Sequence, residues 1–233
     1  MALRIFETDP DALPKGSFVD ETVGRFHSGK QDENGTPVAL SAWRITTDDP
    51  SVGEAVAELL GGVAVVDEHS EAVRNVEVQT DKATVLVVID GPESVTSDMK
   101  LWNRSTLVHH CDGVEFLSPD EQKGQVCGCP QLMEERKALA KRFMGPSPSI
   151  SITFALADDP ELGKFRFSTG SWKLAEELHV LDNALTKVGA PALAELTLTL
   201  VEYTTKKGRD VSYYRPTVKV LKAYNDAVAD PKF

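Results

Sequence analysis

The sequence is short of three things. It has 3 cysteines in 233 residues, too few and too odd in number for a disulfide framework, so reduced thiols and a cytoplasmic setting are expected. It has no long apolar run: stretches such as Val63 to Val66 and Val85 to Ile89 fall far below the roughly 20 residues that span a bilayer. Met1 to Glu7 lack the positive and then apolar pattern of an export signal, so a soluble, unsecreted protein with no membrane contact is expected. Positive charge is also scarce. The chain holds 25 Lys and Arg against 36 Asp and Glu, a formal charge of -11. Coating duplex DNA draws most of its affinity from phosphate neutralisation, so an acidic chain suits that task poorly.

What is present suffices for a real core. Hydrophobic residues make up 41% and charged residues 26%, which excludes a chain disordered throughout. The length fits one large domain or two small ones. The predicted division is an N-terminal α+β region, 1–145, and a C-terminal strand-helix-hairpin region, 146–233, packed as one unit. The seam falls at Gly145-Pro146-Ser147-Pro148.

The first 36 residues carry Pro10, Pro14, Gly16, Gly24, Gly29 and Gly35 and read as loops with short extended pieces. Thr36 to Thr47 reads as a strand. Asp48-Asp49-Pro50 opens a helix with Val52, Val56, Leu59 and Leu60 on its apolar face, and Gly61-Gly62 stops it. Asn75 to Thr80 and Ala83 to Ile89 read as strands with a tight-turn signal, Asp81-Lys82, between them. Met99 to His110 is a single extended candidate, and residues 112–130 read as loop. A second helix carries Leu132, Arg136, Leu139, Ala140 and Phe143 at helical spacing.

Ile150 to Leu156 and Lys164 to Ser168 then read as paired strands. Ser171 is the N-cap predicted for a third helix, with Leu174, Leu178, Leu181, Leu185 and Val188 as its stripe and Gly189 as its stop. Leu193 to Tyr203 and Asp210 to Val220 form the clearest hairpin, followed by a short tail helix over Leu221 to Ala229. Strands and helices mix without regular βαβ alternation. The expected class is α+β, mainly antiparallel strands with about three helices and a small zinc-binding loop region.

Gly24 to Lys30 matches the opening of a phosphate-binding loop, but Gln31 stands where a Ser or Thr should hold magnesium, and a turn follows instead of a helix. The stronger chemical signal is His109-His110-Cys111 with Cys127-Gly128-Cys129. Thiolates with imidazole are the donors that tetrahedral zinc prefers. Residues two apart in an extended chain face one way, which pairs His109 with Cys111 and Cys127 with Cys129. His110 is the alternative ligand. The helix predicted just beyond favours thiolate at Cys127 and Cys129 through its dipole. Three buried thiols without a metal are the plainer reading of the same residues.

Asp158, Asp159 and Glu161 are explained by a charged turn. No catalytic constellation emerges: there is no H-E-x-x-H and no G-x-S-x-G, so no enzyme is expected. The last hairpin is locally basic, with Lys206, Lys207, Arg209, Arg215, Lys219 and Lys222 against Glu202 and Asp210, and Tyr203, Tyr213 and Tyr214 are interleaved. Lys206, Lys207, Arg209, Tyr213, Tyr214 and Arg215 are the candidate partner-binding residues. They suit an acidic protein surface or single-stranded nucleic acid. A solvated edge guarded by lysines is the plainer reading.

Several stretches resemble one family. They are Arg4 to Asp9, Val23-Gly24-Arg25-Phe26, Trp43 to Thr47 leading to Leu59-Leu60-Gly61-Gly62, Cys111-Asp112-Gly113 with Cys127 to Pro130, and Leu156-Ala157-Asp158. Leu162 to Phe165, Ser168 to Trp172 and Gly208 to Tyr213 complete the set. Together they are similar to the recombination directionality factors of actinobacterial phages that use large serine integrases. The resemblance implies a non-enzymatic accessory protein in the cytoplasm of a bacterial host. It would bind the integrase, through the integrase's coiled-coil region, and switch it from joining attP with attB to excising attL with attR. DNA would be contacted mainly through the integrase. Many relatives carry a further cysteine near Gly145-Pro146. This chain has none there, which either makes a histidine the fourth ligand or removes the site. The alternative function is a phage replication-associated protein that binds single strands through the basic hairpin.

Overall fold

The computed structural model describes residues 21–32, 34–67, 72–189, 191–205 and 208–228. Along them run β1 (Gly24–Gln31), β2 (Pro37–Thr47), α1 (Pro50–Leu60), β3 (Ala64–Val66), β4 (Val76–Gln79), β5 (Thr84–Ile89), β6 (Val95–Asn103), β7 (Thr106–Cys111) and β8 (Phe116–Ser118). They continue with α2 (Met133–Ala140), β9 (Ser147–Leu156), β10 (Lys164–Thr169), α3 (Trp172–Val188), β11 (Ala192–Thr204), β12 (Asp210–Ala223) and α4 (Tyr224–Val228). The class is α+β with a mostly antiparallel sheet, as the mixed pattern of elements predicts.

Alternation builds the sheet. In β9 every second residue is buried, the period that turns one face of a strand to the core. Ile150, Ile152, Phe154 and Leu156 form that face. β9 is also where the sheet branches. One edge pairs with β10, and the other pairs with β6 over Ser147 to Ile152 and with β5 at Ala155 and Leu156. One wing continues β5-β11-β12, and the other continues β6-β7-β8. Beyond β10 the order is β1-β2-β4-β3, with β1 and β10 parallel. Ser147 and Pro148, at the stretch read as a seam, are the first residues of β9 and pair with Lys100 and Met99.

The core collects aromatic rings from distant segments. Phe26 meets Trp43, Phe154 and Phe165 at centroid distances of 5.7, 5.1 and 5.6 Å, all edge-on, and Trp43 meets Phe167 at 5.1 Å. Edge-on pairs of this kind add about 0.5–1.5 kcal/mol each beyond area burial. Leu196 and Leu198 of β11 join the same core. α3 contributes Leu174, Leu181 and Leu185 from its predicted stripe. Its N-terminus is capped as expected, with the Leu174 N–H donating to Ser171 Oγ at 3.2 Å. α1 begins at Pro50, and Asp49 accepts from the Ser51 N–H at 2.8 Å.

Five local expectations are corrected. Gly24 to Gln31 is a strand, not a loop, because β2 and β10 pair with it from both sides. Its Gly24 is required by space, since a Cβ there would lie 2.9 Å from the Phe165 ring. The backbone of the phosphate-loop-like Gly24 to Lys30 is therefore committed to the sheet. β4 and β5 flank Asp81-Lys82 but do not pair with each other: β4 joins β2 and β3, and β5 joins β11 and β9. The single extended candidate over Met99 to His110 is a hairpin, β6–β7, turning at Arg104 with φ 55°. Residues 112–130 contain the short strand β8, and Phe143 lies beyond the end of α2.

Candidate metal centre and partner-binding arm

The β6–β7–β8 wing has little carbon to bury. Its own cluster holds Met99, Cys111 and Cys127, with Phe116, Cys129 and Trp172 packed around them. Hydrogen bonds shape the loop that returns to it. Asp112 accepts from the backbone N–H groups of Val114 and Glu115, both at 2.8 Å. The Cys127 N–H donates to the Val114 carbonyl at 2.9 Å, and Glu115 bridges Val126. Gly128 then adopts φ 74°, a left-handed conformation between the two cysteines. A Cβ there would touch nothing, so the turn itself calls for glycine.

This path brings four predicted donors together. The ligand atoms of His109, Cys111, Cys127 and Cys129 all lie within 4.8 Å of one another. Cys111 Sγ is 3.8 Å from Cys129 Sγ, and Cys129 Sγ is 3.5 Å from His109 Nε2. Such a cluster could hold a metal ion. His110, the alternative ligand, is turned away. Its Nδ1 meets Ser118 Oγ at 2.8 Å and its Nε2 meets Asp98 Oδ2 at 3.1 Å. The pairing of residues two apart therefore selects His109 with Cys111.

The electrostatics suit a cation. Burial and the neighbouring thiols push Cys129 up to about 12, and burial first among several causes raises Cys111. The expected thiolate-favouring dipole does not prevail at Cys129. α2 starts only at Met133, and dipole effects fade within a turn. Thiols packed this closely repel as thiolates, and a cation among them reverses that penalty. Burial and His110 lower His109, which favours the neutral imidazole that metals take.

α2 is braced against this loop. Arg136 Nε donates to the Pro130 carbonyl at 2.5 Å, and its Nη2 donates to the Gly113 carbonyl at 2.9 Å. Lys137 pairs with Glu176 of α3 at 2.6 Å. Trp172, at the start of α3, packs on the cysteine cluster.

The second predicted site is divided by the fold. β11 pairs with β5 only over Ala192 to Thr197. Beyond Leu198, whose N–H donates to the Ala83 carbonyl at 2.8 Å, β11 and β12 continue as a two-stranded arm. Val201 lies opposite Tyr213, and Tyr203 lies opposite Val211, so these four share one face. Tyr203 and Tyr213 are exposed. Tyr214 faces the other way, half-buried against the main core. Arg215 is tied to Glu177 of α3 at 3.1 Å. Arg209 is exposed, and Lys206 and Lys207 lie outside the described residues. Tyr213 and Arg209 thus face solvent, while Tyr214 and Arg215 serve the fold. Sequence reasoning missed Val201, Tyr203 and Val211 as neighbours of Tyr213; the strand period and the hairpin register would have found them.

A cleft of about 770 Å³ opens elsewhere, where Arg25, His27, Arg44 and Arg74 meet Asp48, Asp67 and Glu77. Burial, then the three arginines, lower His27 to about 4, so its ring is neutral at pH 7. No helix among the described residues is long and apolar enough to cross a membrane.

Residues 23–222 match the model of the Gp3-like family, described as recombination directionality factor-like. No solved structure matches the chain. The match spans most of the sequence, and the chain belongs to this family, whose members are regulatory accessory proteins of recombination.

Proposed function

We propose that the chain, as a member of the recombination directionality factor-like family, binds a large serine integrase and switches it from joining attP with attB to excising attL with attR. The family match over residues 23–222 carries this reading. The integrase supplies the nucleophilic serine and most of the DNA contacts. This chain acts by binding one integrase arrangement better than another, the only way a partner shifts an equilibrium. Moving a population from 1:99 to 99:1 takes about a 10⁴-fold preference, or about 5.5 kcal/mol. That demands an extended contact surface, and the Val201-Tyr203-Val211-Tyr213 face of the arm supports one part of it. The exposed Arg209, with Lys206 and Lys207 close to it in the sequence, suits an acidic region of the integrase, for which we propose the coiled-coil. The setting is the bacterial cytoplasm, where the thiols stay reduced.

The ion we propose at His109, Cys111, Cys127 and Cys129 is structural zinc. Tetrahedral zinc with sulfur at about 2.3 Å places neighbouring sulfurs about 3.8 Å apart. The Cys111–Cys129 separation of 3.8 Å agrees with that edge. All four positions are filled by side chains, which leaves no open position for substrate. The ion would brace α2 and the β7–β8 loop without entering the switch itself.

A recombination assay with purified cognate integrase tests the reading. Excision of attL with attR should appear only when the chain is added, and attP with attB joining should fall. Neither reaction changing, with no co-elution with integrase, would refute it. Salt-sensitive binding to a labelled single strand would then favour the nucleic-acid alternative.

A further inference from the structure

The turn that ends α2 carries a side chain that nothing among the described residues explains. The Phe143 N–H donates to the Ala140 carbonyl at 2.9 Å, and the Met144 N–H donates to the Leu139 carbonyl at 3.0 Å. These are the paired bonds of a Schellman ending, which places one residue in the left-handed region. Phe143 is that residue, with φ 56°. Glycine is the usual occupant, because a Cβ is disfavoured there. A bulky residue in this conformation is a clear outlier.

Among the described residues the Phe143 ring gains no apolar contact cluster or ring partner in return. Its exposure is 86%, and that of Met144 is 65%. Phe143 belongs to neither buried cluster and to no ring pair among the described residues. The turn is also not a loose end: α2 is held to the metal loop through Arg136 and to α3 through Lys137. Lys141 and Arg142 flank the ring, exposed and without an ion pair among the described residues. Cations near a helix C-terminus complement its dipole, but that accounts for neither Phe143 nor Met144.

We propose that the Phe143–Met144 turn is a protein-docking anchor, its ring entering an apolar pocket on the recombinase and Lys141 and Arg142 meeting carboxylates at the pocket rim. The identity of the partner rests on the function proposed above. Aromatic, Met and Arg side chains are enriched at interface centres, and a few such anchors carry most of the binding energy. Strain kept at an exposed site is the pattern expected where function opposes stability. The charges make the match specific: in a chain of net charge -11, two unpaired cations beside a protruding ring select an acidic rim.

The test uses the full chain, purified cognate serine integrase, and the variants Phe143→Gly and Lys141→Glu/Arg142→Glu. Phe143→Gly should raise the thermal midpoint by relieving the left-handed residue, and should weaken integrase binding by about 30-fold or more, the size of an anchor's loss. Lys141→Glu/Arg142→Glu should weaken binding at low salt and flatten its salt dependence. A Phe143→Gly variant that binds integrase as wild type does overturns the anchor while leaving the function proposed above intact. Wild-type protein that captures no integrase overturns that function, and the recombinase as occupant with it. Sedimentation that shows a dimer abolished by Phe143→Gly would assign the turn to a second copy of this chain and overturn the stated partner.

Discussion

The aromatic core of the sheet and the Cys/His wing are held by different physics. Under the sheet, Phe26, Trp43, Phe154, Phe165 and Phe167 are almost wholly buried and touch edge-on. The wing buries Met99, Cys111 and Cys127 and leaves Trp102, Val108, Val114 and Val126 facing solvent. The first region is held by apolar area removed from water. The second has less to bury, and instead gathers three thiols and an imidazole within 4.8 Å of one another, a cluster that could hold a metal ion. The zinc proposed there would do the work that apolar burial does under the sheet.

Metal removal should break this contrast most sharply. Purified protein is expected to hold close to one zinc per chain, bound with the order of 10–16 kcal/mol seen for structural sites. Chelation should then strip hydrogen-exchange protection from residues 106–144 while β9 and β10 keep theirs. Uniform loss across both regions would show that they are not separate, and a metal-free protein with full protection would end the zinc assignment.

Phe154→Ala should act in the opposite place. It is expected to destabilise the whole sheet by about 3–5 kcal/mol, read from urea unfolding, with zinc content unchanged in the folded fraction. Retention of wild-type stability would mean that the ring cluster is not the centre of the fold.

Acid reaches the sheet through His27. Its folded value of about 4 lies below the ordinary 6.5 because of burial and then Arg44, Arg25 and Arg74. Above pH 6.5 the ring is neutral in both states, and its contribution to stability is fully present. As pH falls from 6.5 through 4, the unfolded chain takes up the proton first, and stability declines by about 3 kcal/mol. His27→Gln should flatten that slope in urea midpoints measured at pH 7, 5.5 and 4.5. An unchanged slope would place the acid sensitivity elsewhere.

Ser171→Ala is the mildest change. Loss of the Leu174 N–H acceptor at the start of α3 should lower stability by about 1 kcal/mol. A shift well above that in the thermal midpoint would show that the α3 start, where Trp172 touches the cysteine cluster, couples the two regions.

Much of this was legible in the chain. The stops and caps of α1 and α3, the β9–β10 pair and the β11–β12 hairpin follow from patterns within a few residues of one another. That His109, Cys111, Cys127 and Cys129 lie near one another was legible too, with His110 left as the alternative, because a strand alternates its sides and the C-G-C turn is local. What escaped had non-local causes. Gly24 to Gln31 contains glycine, histidine, serine and lysine, which signal no strand; two neighbours distant in sequence make it one. Asp81-Lys82 signals a turn, but nothing local could say that β4 and β5 separate to opposite parts of the sheet.

The sequence by itself thus determined the class, the ends of α1 and α3 and the β11–β12 hairpin, and it pointed to the three cysteines and a neighbouring histidine, since each depends on short-range geometry and periodicity. Only the tertiary structure decided which histidine joins the cysteines, which tyrosine of the arm faces out, and that Phe143 stands exposed on a left-handed turn. Those outcomes depend on strand register and on which surfaces the remaining elements cover. Both are set by the packing of segments far apart in the chain, and no local pattern records them.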